Sequence, residues 1–320
     1  MHITVGIATW NRARVLRRTL SRLQKLLVPK GVSWELLAVD NNSTDDTQDV
    51  LNEFKSLLPL KALFEARQGK SWALNRAVEV AGGEYILWID DDILADPDWM
   101  TEYHRAFLNF PAAGVFGGRI IPSFEGAPPE WLIEALPVIG GVYGMCEPKE
   151  GPISTSDPFL PFGGNMAVKS NLQRLFPFDV QLGRQGGKLL AGEESEMTRQ
   201  MLENGIEGRW VPAARVEHII TPELQTLSHV RRYFHDSGVT SAPRARENGL
   251  AWFFAGPRWA WRQAIQCEIR YWLGRVFRRP PTVWMKDFWL ASHAWGVLRK
   301  RPMRVPRRDS GQARSLSHST

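Results

Sequence analysis

The 320 residues contain only two cysteines, Cys146 and Cys267. They stand far apart and fit neither a metal-ligand spacing nor a disulfide framework, so a reducing compartment is expected. No run approaches about 18 uncharged apolar residues, and a membrane-crossing helix therefore has no candidate. The opening MHITVGIATWNRARVL lacks the basic-then-apolar layout of a secretory leader, so none is expected. No G-x-G-x-x-G follows the first apolar run and no G-x-x-x-x-G-K-[ST] occurs, which removes the usual dinucleotide and P-loop phosphate cradles. No internal repeat stands out.

What is present is ordinary globular composition, 43% hydrophobic and 23% charged, enough for one large domain with an appendage or for two small ones. The net charge of +6 hides an asymmetry: residues from Arg231 onward carry +13, and the first 230 carry −7. Seven of the 14 tryptophans also fall between Trp252 and Trp295. The acidic part and the basic, Trp-rich part are expected to do different jobs.

Short apolar runs alternate with helical spacing. ITVGIAT (3–9), WELLAVD (34–40), LKALFEA (60–66) and YILWI (85–89) read as strands. Leu16, Leu20, Leu23 and Leu27 mark the face of a helix that Asn11 could cap. Asn42 and Asp45, in NNSTDDT, read as turn and cap residues before a helix holding Val50, Leu51 and Phe54. SWALNRAVEVA (71–81) is helical, with Asn75 within it. Asp96-Pro97 resembles a cap and first-turn proline. This alternation predicts a parallel sheet covered by helices, with its ligand edge beyond the carboxyl ends of the strands. Farther on, GVFGGRI, FGGNMAV, GRWVP and ARVEHII read as strands, and GEESEMTRQMLENG (192–205) as a helix rich in acids at its start.

Thr9, Asp40 and the triplet Asp90, Asp91 and Asp92 all fall at predicted strand ends. Strand alternation would turn Asp90 and Asp92 one way and Asp91 the other. Paired carboxylates make a poor core but a good seat for Mg²⁺ or Mn²⁺, which take oxygen ligands and leave positions for substrate phosphates.

IATWNRARVL, AVDNNSTDDT, GKSWALNRAVEVAGGEYILWIDDD, FGGNMAV and GEESEMTRQMLENG stand in the order and spacing of family 2 glycosyltransferases. Over about residues 3–220 the chain resembles that family. The resemblance implies a GT-A fold, α/β with a mostly parallel nucleotide-binding sheet and helices on both faces, here followed by a C-terminal helical extension. It implies a nucleotide-sugar donor, a divalent cation and inversion at the anomeric carbon. Thr9 and Asn11 correspond to the nucleotide pocket, Asp40 to the acid that contacts the base, and Lys70 to a basic position near the phosphates. Asp90 corresponds to the ribose contact, with Asp91 able to share a role, and Asp92 to the metal ligand of a D-x-D signature. Where the family has Glu-Asp, this chain has Glu193-Glu194. Glu194 inherits the part of general base and Glu193 is the fallback. His218 falls where a late histidine completes the metal shell alongside Asp92 and Asp90. Gly163, Gly164 and Asn165 are expected on the acceptor side or against the donor sugar.

The expected organisation is a transferase domain over 1–228, a basic Trp-rich helical extension over 229–300 and a disordered basic tail over 301–320. Arginine beside tryptophan suits either a membrane surface or a helical subdomain that packs its tryptophans on the core. Nucleic acid is a poor fit to the acidic N-terminal part. The Q-x-x-R-W motif of polymerising family members is not evident, GPRWAW being its nearest look-alike, so transfer of a single sugar is expected. The expected setting is the cytoplasm or the inner face of the cytoplasmic membrane, with a UDP-sugar as donor and a glycan or lipid-linked glycan as acceptor. Two rivals remain: a nucleotidylyltransferase, whose glycine-rich loop is missing from ATWNRARVL, and a degenerate, non-enzymatic binding module.

Overall fold

The computed structural model describes residues 1–183, 192–247, 252–253 and 256–299. Four strands, β1 (His2–Thr9), β2 (Ser33–Asp40), β3 (Leu60–Phe64) and β4 (Tyr85–Trp88), lie in the order β3-β2-β1-β4, all parallel. They are joined by helices α1 (Ala13–Leu23), α2 (Thr47–Phe54) and α3 (Lys70–Val80). The alternation within β2 sorts the helices. Leu36 and Ala38 join the core that includes Leu16, Leu20 and Leu51, while Leu37 and Val39 join the opposite core with Leu74 and Val78 of α3. Both faces of the sheet are thus buried, as parallel strands require.

The chain then runs through β5 (Ile93–Ala95), α4 (Trp99–Asn109), β6 (Val115–Phe124) and α5 (Glu130–Ile139), with a 3₁₀ turn at Gly140–Tyr143. Next come β7 (Gly151–Pro152), β8 (Met166–Lys169), α6 (Ser170–Leu175), α7 (Glu193–Glu203) and β9 (Gly208–Ile220). These strands continue the sheet as β4-β8-β6-β9-β5, with β7 also on β9. In this half, among the described residues, only β6 and β9 pair in parallel; β4–β8, β6–β8, β5–β9 and β7–β9 are antiparallel. The sheet is therefore mixed, and its parallel character belongs to the N-terminal half. GRWVP and ARVEHII form one strand, and GVFGGRI extends to ten residues; the register between them slips at Gly118/Arg119.

Two caps differ from expectation. Helix α1 begins without Asn11, whose Oδ1 accepts from Thr44 N–H at 2.7 Å, and Asp45 Oδ2 accepts from Ala13 N–H instead. Helix α4 begins at Trp99, two residues beyond Pro97. At α1 a loop residue from elsewhere in the fold supplies a partner that local spacing could not reveal.

The C-terminal helices α8 (Leu227–Glu247), α9 (Arg258–Val276) and α10 (Pro281–Val297) follow, with the short pair β10 (Trp252–Phe253) and β11 (Gly256–Pro257) before α9. They pack on the core through α5. Tyr271, Trp284, Met285 and Phe288 share one buried cluster with Leu132, Ile139, Tyr143 and Ile220. The tail over 301–320, expected to be disordered, lies outside the described residues. Among the described residues no helix is long and apolar enough to cross a membrane.

Candidate active site

The order β3-β2-β1-β4 places the carboxyl ends of β1 and β4 side by side at the point where connections diverge, which is where such sheets bind ligands. Strand β4 ends at Trp88, and Asp91 and Asp92 sit in the turn before β5. Strand alternation therefore does not govern the acids. The guanidinium of Arg12 spans Asp91 and Asp92, with NH1 2.9 Å from Asp91 Oδ1 and NH2 2.7 Å from Asp92 Oδ2. Asp90 turns away to the Lys70 ammonium at 2.6 Å. The expected grouping of Asp90 with Asp92 is thus corrected: the strand ends at Trp88, one residue before the expected end and before the triplet begins, and a cation stands on each side of the triplet.

Asp91 and Asp92 are buried. Burial pushes the Asp91 carboxyl up to about 6, against the pull of Arg12, and the neighbouring Asp92 adds to the rise. Thr9 donates its hydroxyl to Asp91 Oδ2 at 2.8 Å, so Thr9 serves the acid cluster. His218, paired across β9 with Ile93, brings Nε2 to 3.3 Å from Asp92 Oδ2. Its Nδ1 lies 2.7 Å from the Tyr143 carbonyl. Burial lowers the His218 pKa, but Asp92 and the Tyr143 carbonyl outweigh it and the net shift is upward.

On the other side Lys70, the first residue of α3, is held by Asp90, by Glu194 Oε1 at 2.8 Å and more distantly by Glu193 at 3.8 Å. Burial works against the ammonium, but these acids raise its pKa well above the usual value. Glu193 and Glu194 are both buried at the start of α7. Burial, reinforced by Glu194, raises the Glu193 carboxyl to about 8. Gly163 passes so close to this pair that a Cβ there would lie 2.5 Å from Glu194 Oε1; at Gly164 it would face Asp90 Oδ2 at 3.7 Å. Glycine at 163 is thus a matter of clearance.

Asn165 behaves otherwise. Its Oδ1 accepts from Trp99 Nε1 and Tyr103 OH, both at 2.8 Å, and its Nδ2 donates to the carbonyls of Arg119 and Ala214. All its side-chain capacity is used inside the core, which corrects the expectation of an acceptor contact through this side chain. Asn165→Ala is expected to cost about 3 kcal/mol, because it strands buried donors and acceptors. A urea melt with its midpoint lowered at unchanged slope would show this; a midpoint within error of the wild type would refute it.

Asp40 is buried beside Thr9 in register and accepts from Ser43 N–H through Oδ1. Asn75 bonds the backbone of Phe178 in both directions. Two residues escaped the sequence reading. Arg12 lies in a quoted segment, yet nothing local says which acids it meets. Asn41 accepts from Gly69 N–H and donates to the carbonyls of Glu65 and Arg67, fixing the loop that delivers Lys70. The doubled asparagine after β2 was its only signal.

Among the described residues no set of three His, Cys, Asp or Glu side chains is arranged to hold a metal ion. The donors at Asp92 nevertheless suit a hard cation. A carboxylate and an imidazole Nε2 converge, and Nδ1 faces a backbone carbonyl, the outer contact that fixes a ligating tautomer. Arg12 NH2 occupies a cation's position on the same carboxylate oxygen.

A mixed α/β sheet flanked by helices, with buried acids at its switch point, is the layout of an α/β protein that takes its ligand beyond the strand ends. Residues 4–169 match the family model described as glycosyl transferase family 2, and the chain belongs to that family. The glucosyl-dolichyl phosphate glucuronosyltransferase of Haloferax volcanii is 23% identical over 230 residues, 68% of this chain and 69% of that protein. The poly-beta-1,6-N-acetyl-D-glucosamine synthase of Staphylococcus epidermidis is 30% identical over 118 residues, 37% of this chain but only 28% of the relative. Among solved structures, S. aureus TarS 1-349 in complex with UDP gives a TM-score of 0.52 at 17% identity, covering 74% of this chain and 65% of that one. The mannosyltransferase PcManGT from Pyrobaculum calidifontis, in complex with GDP-Man and Mn²⁺, gives 0.53 at 20% identity, covering 76% and 64%. At these identities the structural likeness establishes the fold.

Proposed function

We propose that the protein is an inverting, metal-dependent glycosyltransferase that moves a sugar from a UDP-sugar to a hydroxyl of a glycan or lipid-linked glycan. The reaction would serve cell-surface polysaccharide synthesis at the inner face of the cytoplasmic membrane, with residues 1–228 as the transferase unit and 229–300 as its helical extension. The observation that carries this reading is the bridge at Lys70. One ammonium touches Asp90, at the end of the nucleotide-binding half of the sheet, and Glu194, at the start of α7. Donor-side and acceptor-side carboxylates therefore share one crevice.

In this reading Thr9, Asn11 and Asp40 line the nucleoside end, and Asp90 and Asp91 the ribose and phosphate approach. Asp92 and His218 would hold a Mg²⁺ or Mn²⁺ ion. When bound, that ion neutralises charge on the diphosphate leaving group. Lys70 is placed to meet the same phosphates. Glu194 takes the proton from the acceptor hydroxyl as its oxygen attacks the anomeric carbon opposite the departing diphosphate. Gly163 leaves room for that hydroxyl beside Glu194. The UDP complex of TarS and the GDP-Man and Mn²⁺ complex of PcManGT support a nucleotide donor and a cation.

Calorimetry with UDP and Mn²⁺ tests the site. UDP binding is expected to weaken at least tenfold when EDTA replaces Mn²⁺, and Asp92→Ala is expected to abolish the difference. UDP affinity that survives both chelation and Asp92→Ala would remove the metal from this site.

A further inference from the structure

The C-terminal helix α9 has two unlike faces. Ala260, Ala264, Cys267, Tyr271 and Gly274 are buried against the rest of the protein. A Cβ on Gly274 would stand 2.8 Å from Trp284 Cβ, so the helices α9 and α10 meet closely on this side. The opposite face carries Ile265, Ile269, Trp272, Leu273 and Val276, at the three- and four-residue steps of one stripe, and Phe277 continues it. These are large apolar side chains in water: Trp272 is 57% exposed, Phe277 68% and Val276 72%. A continuous apolar stripe of this kind marks an interaction surface.

The charge around the stripe selects the partner. Arg258 and Arg262 are exposed on its N-terminal side, and Arg278 and Arg279 beyond its C-terminal end. The one acid in 258–279, Glu268, is engaged by Arg231 through two bonds of 3.0 and 3.2 Å. A second copy of this chain would bring a second basic rim against the first, which opposes self-association. Nucleic acid would leave Ile265, Ile269, Leu273 and Val276 facing phosphates with nothing to bury them. A bilayer with anionic headgroups satisfies both halves of the pattern: aliphatic side chains enter the acyl boundary, Trp272 sits at headgroup depth, and arginines meet lipid phosphates.

We propose that the outer face of α9 is a membrane-docking surface that seats the protein on an anionic lipid bilayer with α9 parallel to the plane. This deepens the partner in the function proposed above and rests on that reading only for the purpose of docking, namely delivery of the site to a lipid-linked acceptor. The seat is mechanically continuous with the site. Tyr271, on the buried face of α9, lies in the same cluster as Tyr143, whose carbonyl meets His218 Nδ1.

The test is co-sedimentation of the full chain with vesicles of phosphatidylcholine alone and of phosphatidylcholine with about 30% phosphatidylglycerol, without nucleotide or acceptor. Binding is expected only to the anionic vesicles and is expected to fall at least tenfold as salt rises from about 50 to 500 mM. Ile269→Glu and Val276→Glu lie on exposed positions outside the candidate active site. Each is expected to reduce vesicle partitioning at least tenfold while leaving the affinity for UDP and the far-ultraviolet dichroism unchanged. Failure to bind anionic vesicles would overturn the proposal, as would binding that the two variants retain. A concentration-dependent dimer in sedimentation velocity that Val276→Glu dissolves would overturn it in favour of self-association. Vesicle binding by a protein that transfers no sugar to lipid-linked acceptors would uphold the docking surface and remove the acceptor reading. Transfer without vesicle binding would do the reverse.

Discussion

Glu194→Gln is expected to lower kcat by about 10²- to 10⁴-fold, the usual contribution of a positioned general base. Glu193→Gln is expected to keep activity at neutral pH within about tenfold. The two residues are adjacent and both buried, so chemistry at the pair level has to separate them. Burial and the neighbouring Glu194 raise the Glu193 carboxyl to about 8. At pH 7 Glu193 therefore holds its proton, while Glu194 Oε1 stands 2.8 Å from the Lys70 ammonium. Only a carboxylate without its proton can accept one from the acceptor hydroxyl. Release of nucleotide diphosphate followed from pH 6 to 9.5 checks this, and Glu193→Gln should lose any alkaline limb near pH 8. Equal loss in the two variants would transfer the role of base to Glu193 or to neither.

The same residue makes a prediction for stability. The folded-state pKa of Glu193 lies above its usual 4.5, so between those values the folded chain holds a proton that the unfolded chain has released. This group's contribution to stability therefore falls as pH rises from about 4.5 to about 8 and is level beyond. Glu193→Gln should flatten that slope and leave the variant more stable at pH 8 by roughly 1–3 kcal/mol.

Gly296→Leu is expected to be the most destabilising single change in the C-terminal third, by about 4 kcal/mol or more. Helices α8 and α10 meet backbone to backbone. A Cβ on Gly296 would lie 1.9 Å from the carbonyl oxygen of His235, and one on Gly238 would lie 2.0 Å from that of His293. No rotamer relieves a clash between a Cβ and a neighbouring main chain, so the helices must separate. The buried cluster that holds Tyr143, Ile220, Trp284 and Phe288 would open with them. The secondary effect is specific: the carbonyl that faces His218 Nδ1 belongs to Tyr143, so the Mn²⁺ dependence of UDP binding should weaken together with thermal stability. A variant with the wild-type melting temperature would show that the helices have another way to pack.

The parts of this fold that were legible in the sequence are those written in local period. The first four strands are short apolar runs closed by polar turns, and the α1 face shows as Leu16, Leu20 and Leu23, whereas Leu27, also expected on it, lies beyond the helix end and is exposed. The acid triplet was legible as a cluster, but its orientation was not. Strand alternation was extended through residues that had already left the strand at Trp88. The parts that stayed hidden are joined only by the tertiary structure. Asn165 is held by groups from α4, β6 and β9, and no spacing places Trp99, Arg119 and Ala214 around it. Arg12 and the Tyr143 carbonyl have the same origin, being partners supplied from across the sheet. The tryptophans of the C-terminal third divided between two fates, Trp284 inside and Trp272 outside, because α9 and α10 bury only one side each.

The cations at the crevice have a consequence of their own. Arg12 and Lys70 act as tethered counter-ions for the acids beside them and offset part of the negative charge of the crevice. Under the function proposed above, a diphosphate arriving at Lys70 would draw the ammonium toward its oxygens and off Glu194, freeing that carboxylate as the group to be transferred arrives. Such an exchange of partners would keep Glu194 tied up between turnovers.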